Sequence, residues 1–437
     1  MMRKLCAFAL CAALLLSILP GCGRQEIIQT DPTEPTPAPT QGIQETVLEI
    51  QGDERPYVGV QLKLLSLLSA DDPRADVMAQ AAEVFRMTTG AVVEVFYLSG
   101  DEAVLASNLA SGVQADIFAS SVDALELGFA DYALDLTAMA EAADYEHHSY
   151  PVLRDQVVQR CGYLAAIPQE PVLWGVYCNA DALEAAGITA FPETWADFLE
   201  VSRQLTDAGF MPLTLDIETC NEVLELHLQR HLDAQQLRVM LAERKWNQDT
   251  GCVDLFQRCV DYAAAGYLAK GDPSALPRGR EKIALSNVAM TVGNNLLCGQ
   301  VERSTLMDVN WAVYPYPGDG EGTGAAVESQ VLAVHRESEN AQAAFDFIML
   351  LTTGEFDRLY ASCAEGIPAD PANTSTIRGA GELLAQVKSE GMGLLKEADN
   401  ELFSRLWSGW YKNAYYFAGA MNELSADYEM PEPEGVG

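Results

Sequence analysis

Apolar positions fall into two regimes along the chain. From Leu5 to Leu19 they form one nearly unbroken run, and from Val58 onward short apolar runs alternate with amphipathic stretches. In the second regime Val60 to Leu68 reads as a strand. Asp72 can cap a helix whose first position is Pro73, and Val77, Met78, Ala81, Ala82, Val84 and Phe85 recur on one face before Gly90 stops it. Ala91 to Leu98 reads as the next strand, Asp101 to Ser111 as a helix ended by Gly112, and Ala115 to Ala119 as a third strand. This β-α-β-α-β order predicts a largely parallel sheet with helices on both faces. A second such region starts near Val172. Trp174 to Cys178 looks like a strand, Asn179 caps a helix ending at Gly187, Thr194 caps another that runs to Gly209, and Val331 to Val334 is strand-like.

The first apolar run is too short to span a bilayer comfortably, follows Arg3 and Lys4, and ends at Leu19-Pro20-Gly21-Cys22. That order resembles a bacterial lipoprotein signal. The resemblance implies cleavage before Cys22, acyl chains on Cys22, and tethering to the outer face of the cytoplasmic membrane. Residues 1–21 are then a signal peptide and 22–56 a lipidated cysteine with its tether. The tether is rich in Gln, Thr, Pro, Glu and Gly and has too little apolar surface to fold.

The remainder is long enough for two lobes of ordinary domain size. The formal charge of the whole chain is −36, and losing Arg3 and Lys4 makes it more negative still. Such a surface repels phosphate backbones, which argues against a nucleic-acid partner. Seven cysteines follow Cys22, none in a C-x-x-C pair, and mostly free, buried thiols are expected. The run Gly318-Asp319-Gly320-Glu321-Gly322-Thr323-Gly324 does not match a phosphate-binding spacing and reads as a flexible connection between lobes. Enzyme signatures are missing: there is neither H-E-x-x-H nor G-x-S-x-G. His227 and His231 share a helical spacing, but no third ligand stands beside them, so they read as residues of a surface helix. No catalytic residue, metal or cofactor is expected.

Several segments together carry a resemblance. Ile167-Pro168 through Trp174-Gly175-Val176-Tyr177-Cys178-Asn179, then Pro192-Glu193-Thr194-Trp195, Ala115-Asp116-Ile117-Phe118, Val288 to Gly293, Val313 to Gly318, and Asn340 to Ile348 followed by Gly366-Ile367-Pro368 resemble the extracellular solute-binding proteins of bacterial sugar ABC transporters, relatives of maltose-binding protein. The resemblance implies an α/β, two-lobed periplasmic-binding-protein-like fold with a hinge and a ligand cleft between lobes. Lobe one is expected at 58–168 plus 325–352, and lobe two at 169–324 plus 353–437. A monomer is expected that binds a small polar solute, a mono- or oligosaccharide first, and passes it to a permease. A receptor for a non-sugar solute, a surface adhesion protein and a lipid-anchored glycosidase stay open.

Candidate cleft residues follow from that resemblance. Asp116, with Ser120, Ser121 and Asp123 just after it, is expected to line lobe one, against a turn-and-cap role for Asp116. Trp174 can stack on a sugar ring or pack in the core. Glu170 can accept two hydroxyls or remain a solvated acid, and Asn294 and Asn295 can offer amides or only form a turn. The family often places an aromatic in the loop that here reads Gly293-Asn294-Asn295-Leu296. Trp410, in a cluster with Trp407 and Tyr411, is the candidate aromatic cap of the cleft, with core packing as the alternative, and Glu328 completes the set.

Overall fold

The computed structural model describes residues 55–387, apart from 101, 113–114, 215–224, most of 231–260, 263, 270–278 and 320–321. The signal and tether, and Trp407, Trp410 and Tyr411, lie outside the described residues. Eight strands form one mixed sheet. They are β1 (Gln61–Ser66), β2 (Val92–Tyr97), β3 (Ile117–Ser121), β4 (Ile167–Asn179), β5 (Met211–Thr214), β6 (Val288–Asn294), β7 (Trp311–Tyr314) and β8 (Ala326–Val334). Their order is β2-β1-β3-β8-β4-β6-β5, with β7 on β4.

The first three strands and the helices between them, α1 (Pro73–Thr89) and α2 (Glu102–Ala110), form two parallel crossovers onto β1. Helix α1 begins as its sequence dictates: the Asp72 side chain accepts the Arg74 N–H at 2.9 Å, Pro73 occupies the first turn, and Gly90 closes the helix at φ 86°. Strands β5 and β6 are also parallel. The middle of the sheet differs from the largely parallel expectation, because β8 is antiparallel to both β3 and β4, and β4 is antiparallel to β6 and β7. Two long strands running between the halves in opposite directions produce that pairing.

Strand β4 spans 13 residues, of which all but the last are buried. Its early residues Ile167 and Pro168 pair with Leu332 and Val331 of β8, and its later residues Trp174 to Cys178 pair with β6. One core lies around the first half of the sheet, where Leu62, Leu64, Phe118 and Ile167 meet Met78 and Phe85 of α1. Phe345 and Phe347 of the helix Ala341–Thr352 and Phe356 and Tyr360 of the helix Gly354–Ser362 belong to that core too. The second half has cores on both faces of β4. Val172, Trp174, Val176 and Cys178 pack with Phe198 of the helix Trp195–Asp207, while Leu173 and Tyr177 pack on the other face with Leu297 and Val313.

Three sequence readings are corrected in detail. His227 is not on a surface helix: it is buried, with its ring edge-on to Trp195 at 5.6 Å and to Tyr316 at 5.2 Å. The glycine-rich run is not a loose connection where it is described. Arg230 donates from Nη2 to the carbonyls of Gly318 at 2.7 Å and Glu193 at 3.1 Å and from Nη1 to that of Gly322, so the loop is wrapped around a guanidinium. A Cβ at Gly322 would stand 2.1 Å from the Gln229 carbonyl, which is why the wrap needs glycine. Of the four cysteines described as free thiols, Cys178 and Cys298 are buried, whereas Cys161 and Cys363 are half-buried.

Candidate functional site

The polar groups of interest gather where β4 and β8 pass from one half of the sheet to the other. Glu170 lies on β4 opposite Gln330, beside a register shift between Pro168 and Glu170. Its carboxylate is buried, and Arg74 in the first turn of α1 donates to both of its oxygens from Nη1 at 2.6 and 2.7 Å. The same guanidinium donates from Nε and Nη2 to Asp72 at 2.9 and 2.8 Å and sits 5.7 Å over the Tyr360 ring. Burial pushes Glu170 up, with Arg74 pulling against it. Burial alone would lower Arg74, but its hydrogen bonds to Asp72 and the charge of Glu170 more than offset this and raise it, so the guanidinium stays charged.

Next along β4, the Leu173 N–H donates to Asn295 Oδ1 at 2.8 Å, and Trp174 stands opposite both Asn294 and Ala326. Val172 stands opposite Glu328. Four buried polar atoms in this small region have no hydrogen-bond partner among the described residues: Gln169 Nε2, Trp174 Nε1, Asn295 Nδ2 and Ser329 Oγ. A buried donor left unpaired costs about 1–3 kcal/mol, so these atoms are candidates for contact with a bound solute.

Of the residues singled out in the sequence, Glu170, Trp174, Asn294, Asn295 and Glu328 are thus brought together at the crossing strands. Trp174 is only 3% exposed and packs in a core cluster. Asn294, the last residue of β6, accepts the Leu296 N–H at 3.1 Å and so forms the turn into the next helix. The lobe-one set is dispersed. Ser121 ends β3 and caps the helix after it through the Ala124 N–H at 3.1 Å, and Ser120 is buried against its own strand. Asp123 is exposed and paired with Arg160. Asp116 precedes β3 at the opposite end from Ser121, where its carboxylate accepts from the Lys63 N–H at 2.9 Å and the Ser338 hydroxyl at 2.5 Å. It ties a strand start to the turn after β8. Trp410 lies outside the described residues.

Sequence reasoning passed over Arg74, Gln169 and Ser329. The capped start Asp72-Pro73-Arg74 was legible, but the partner of Arg74 is 96 positions away. Neither Gln169 nor Ser329 has any local signature, because what distinguishes them is burial.

With the geometry in hand, comparison with known proteins is informative. Residues 70–209 match the sequence profile of the family described as bacterial extracellular solute-binding protein. Among curated proteins no sequence match reaches significance. Among solved structures, RafE of Streptococcus pneumoniae in its apo form is similar at 15% identity, with 86% of this chain and 98% of that one covered and a TM-score of 0.67. Binding protein MsmE of Bacillus subtilis, in an open conformation, is similar at 17% identity, with 84% and 95% covered and a TM-score of 0.63. A sugar transporter of Bacillus licheniformis in complex with stachyose is similar at 17% identity, with 84% and 97% covered and a TM-score of 0.55. Residues 70–209 are thus similar in sequence to the bacterial extracellular solute-binding proteins, and the body of the chain has a two-lobed, maltose-binding-protein-like α/β fold.

Proposed function

We propose that this chain is a lipid-anchored receptor of an ABC importer that captures a small polar solute, a mono- or oligosaccharide, and delivers it to the permease. The observation that carries the reading is the set of buried polar atoms at Gln169, Trp174, Asn295 and Ser329 that have no partner among the described residues, on or beside the strands that join the two halves. Solute oxygens entering between the lobes would satisfy such donors, and closure would remove both from water. The lobes divide at about 58–168 plus 325–352 and 169–324 plus 353–437, except that the helix Gly354–Ser362 packs on the first core and so goes with lobe one. Binding, not catalysis, fits a site whose one strongly placed carboxylate, Glu170, is already occupied by Arg74. No helix among the described residues is long and apolar enough to cross a membrane; attachment is assigned to Cys22, and the body to the cell surface.

A specific observation keeps a second reading in view. The turn at Asn294 and Asn295 presents amides and no ring, so a non-sugar polar solute on the same fold competes with a sugar. A thermal-shift panel decides between them. Raffinose, stachyose, maltose and chitin oligosaccharides, the ligands of similar structures, would be tested beside amino acids and short peptides. A bound sugar at about 100 times its dissociation constant should stabilise the fold by about 2.7 kcal/mol. No shift with any sugar and a shift with another solute would overturn the carbohydrate reading.

A further inference from the structure

Strand β4 is bolted to each half of the molecule by a different side chain. On the first side, Arg74 holds Glu170 through both carboxylate oxygens, and α1, which carries Arg74, is rooted in the first core through Met78, Ala81 and Phe85. On the second side, Asn295 holds the Leu173 N–H, while Leu173 and Trp174 enter the two cores of the second half. Between these fixed points lie only Pro171 and Val172. Proline has no N–H to give to the ladder, so backbone pairing is thinned at Pro171, as it is at Pro168 before the register shift. On β8 the matching positions are Ser329 and Glu328, and the next residue, Gln330, pairs with Ser121 of the first half.

We infer that Arg74 is a positioning residue for lobe motion: its grip on Glu170 ends the first rigid body at Glu170 and confines bending to Pro171 and Val172 with the facing Glu328 and Ser329. The inference rests on the two-lobed receptor reading, in which the lobes turn about the crossing strands. Arginine is needed for this because one planar fork reaches Asp72 with Nε and Nη2 and Glu170 with Nη1. A lysine ammonium is a point charge and cannot hold both in that geometry. Without the grip, the bending zone would lengthen backwards along β4 toward Ile167.

Hydrogen–deuterium exchange on the full chain, with no solute added, tests this. The variants are Arg74→Lys and the double change Arg74→Met with Glu170→Leu, which leaves neither charge buried alone and so guards against simple unfolding. In the double variant the amides of Ile167, Gln169 and Glu170 should exchange at least about tenfold faster, equivalent to about 1.4 kcal/mol of local opening, with β1 and the second half of α1 unchanged. Arg74→Lys should fall between this and wild type. Acceleration spread equally over β1 and α1 would assign Arg74 a role in global stability alone and overturn the inference, as would unchanged exchange at 167–170. Because no solute is present, a failed sugar panel leaves this outcome standing, and a failed exchange test leaves the panel standing.

Discussion

Asp357 Oδ2 accepts the backbone N–H of Asp370 at 3.1 Å, and Asp370 Oδ2 in turn accepts the N–H of Gly354, which begins the helix carrying Asp357, at 3.1 Å. The two buried acids lock the helix Gly354–Ser362 to the segment after it. Asp357 also accepts the Ala369 N–H at 2.9 Å and the Asn373 amide at 2.8 Å, and His148 Nδ1 lies 3.1 Å from Asp370. Tyr145 and Tyr150 close the surroundings without supplying a positive charge.

Burial pushes the Asp357 carboxyl up from 3.8 to about 7, against the pull of its hydrogen bonds. The folded chain therefore holds this proton more tightly than the unfolded chain. Its contribution to stability is full at acid pH, falls as pH rises from about 4 to about 7, and is lost above that. At about 1.36 kcal/mol per unit of displacement, the change is on the order of 4 kcal/mol. Urea unfolding at several pH values should show this loss in wild type and a flatter profile in Asp357→Asn, which will also be less stable because one donor loses its acceptor. Equal slopes in the two proteins would remove Asp357 as the cause.

Trp174 separates ligand contact from packing. Trp174→Phe keeps a ring in the core but deletes the unpaired indole N–H. Unfolding free energy should stay within about 1.5 kcal/mol of wild type. Affinity measured by calorimetry, for whichever solute shifts the melting temperature, should drop about tenfold, the cost of one lost hydrogen bond. Undiminished affinity would place Trp174 in the core alone.

The wrapped loop predicts unequal tolerance among glycines. Gly324 has φ +64°, and an added Cβ would lie 2.1 Å from the Tyr316 carbonyl, while Gly187 has φ +74° and nothing within 4 Å. Gly187→Ala should cost about 1 kcal/mol for its backbone alone, and Gly324→Ala more than about 2 kcal/mol because strain and overlap add. Thermal melts of the pair settle it; equal costs would mean the loop yields.

Anchoring is tested at Cys22. Cys22→Ser should abolish acyl labelling and either release the protein from the membrane fraction or leave an uncleaved precursor there. Label that persists in the variant would refute the assignment of Cys22.

The sequence carried the local elements because their causes are local. Asp72, Asn179 and Thr194 each cap the helix that follows with a side-chain oxygen, and the apolar face of α1 recurs at helical spacing, so a window of a few residues suffices. It also carried the family pattern over residues 70–209. What it could not carry is long-range. The antiparallel crossing of β4 and β8 joins residues about 160 positions apart, and the partner of Arg74 is chosen only when α1 docks against β4. His227 shows the same limit: its spacing to His231 promised a surface helix, and only packing against Trp195 and Tyr316 made it a core residue. Propensity and capping act between neighbours in sequence, whereas burial, on which the candidate site rests, exists only after distant segments have excluded water together.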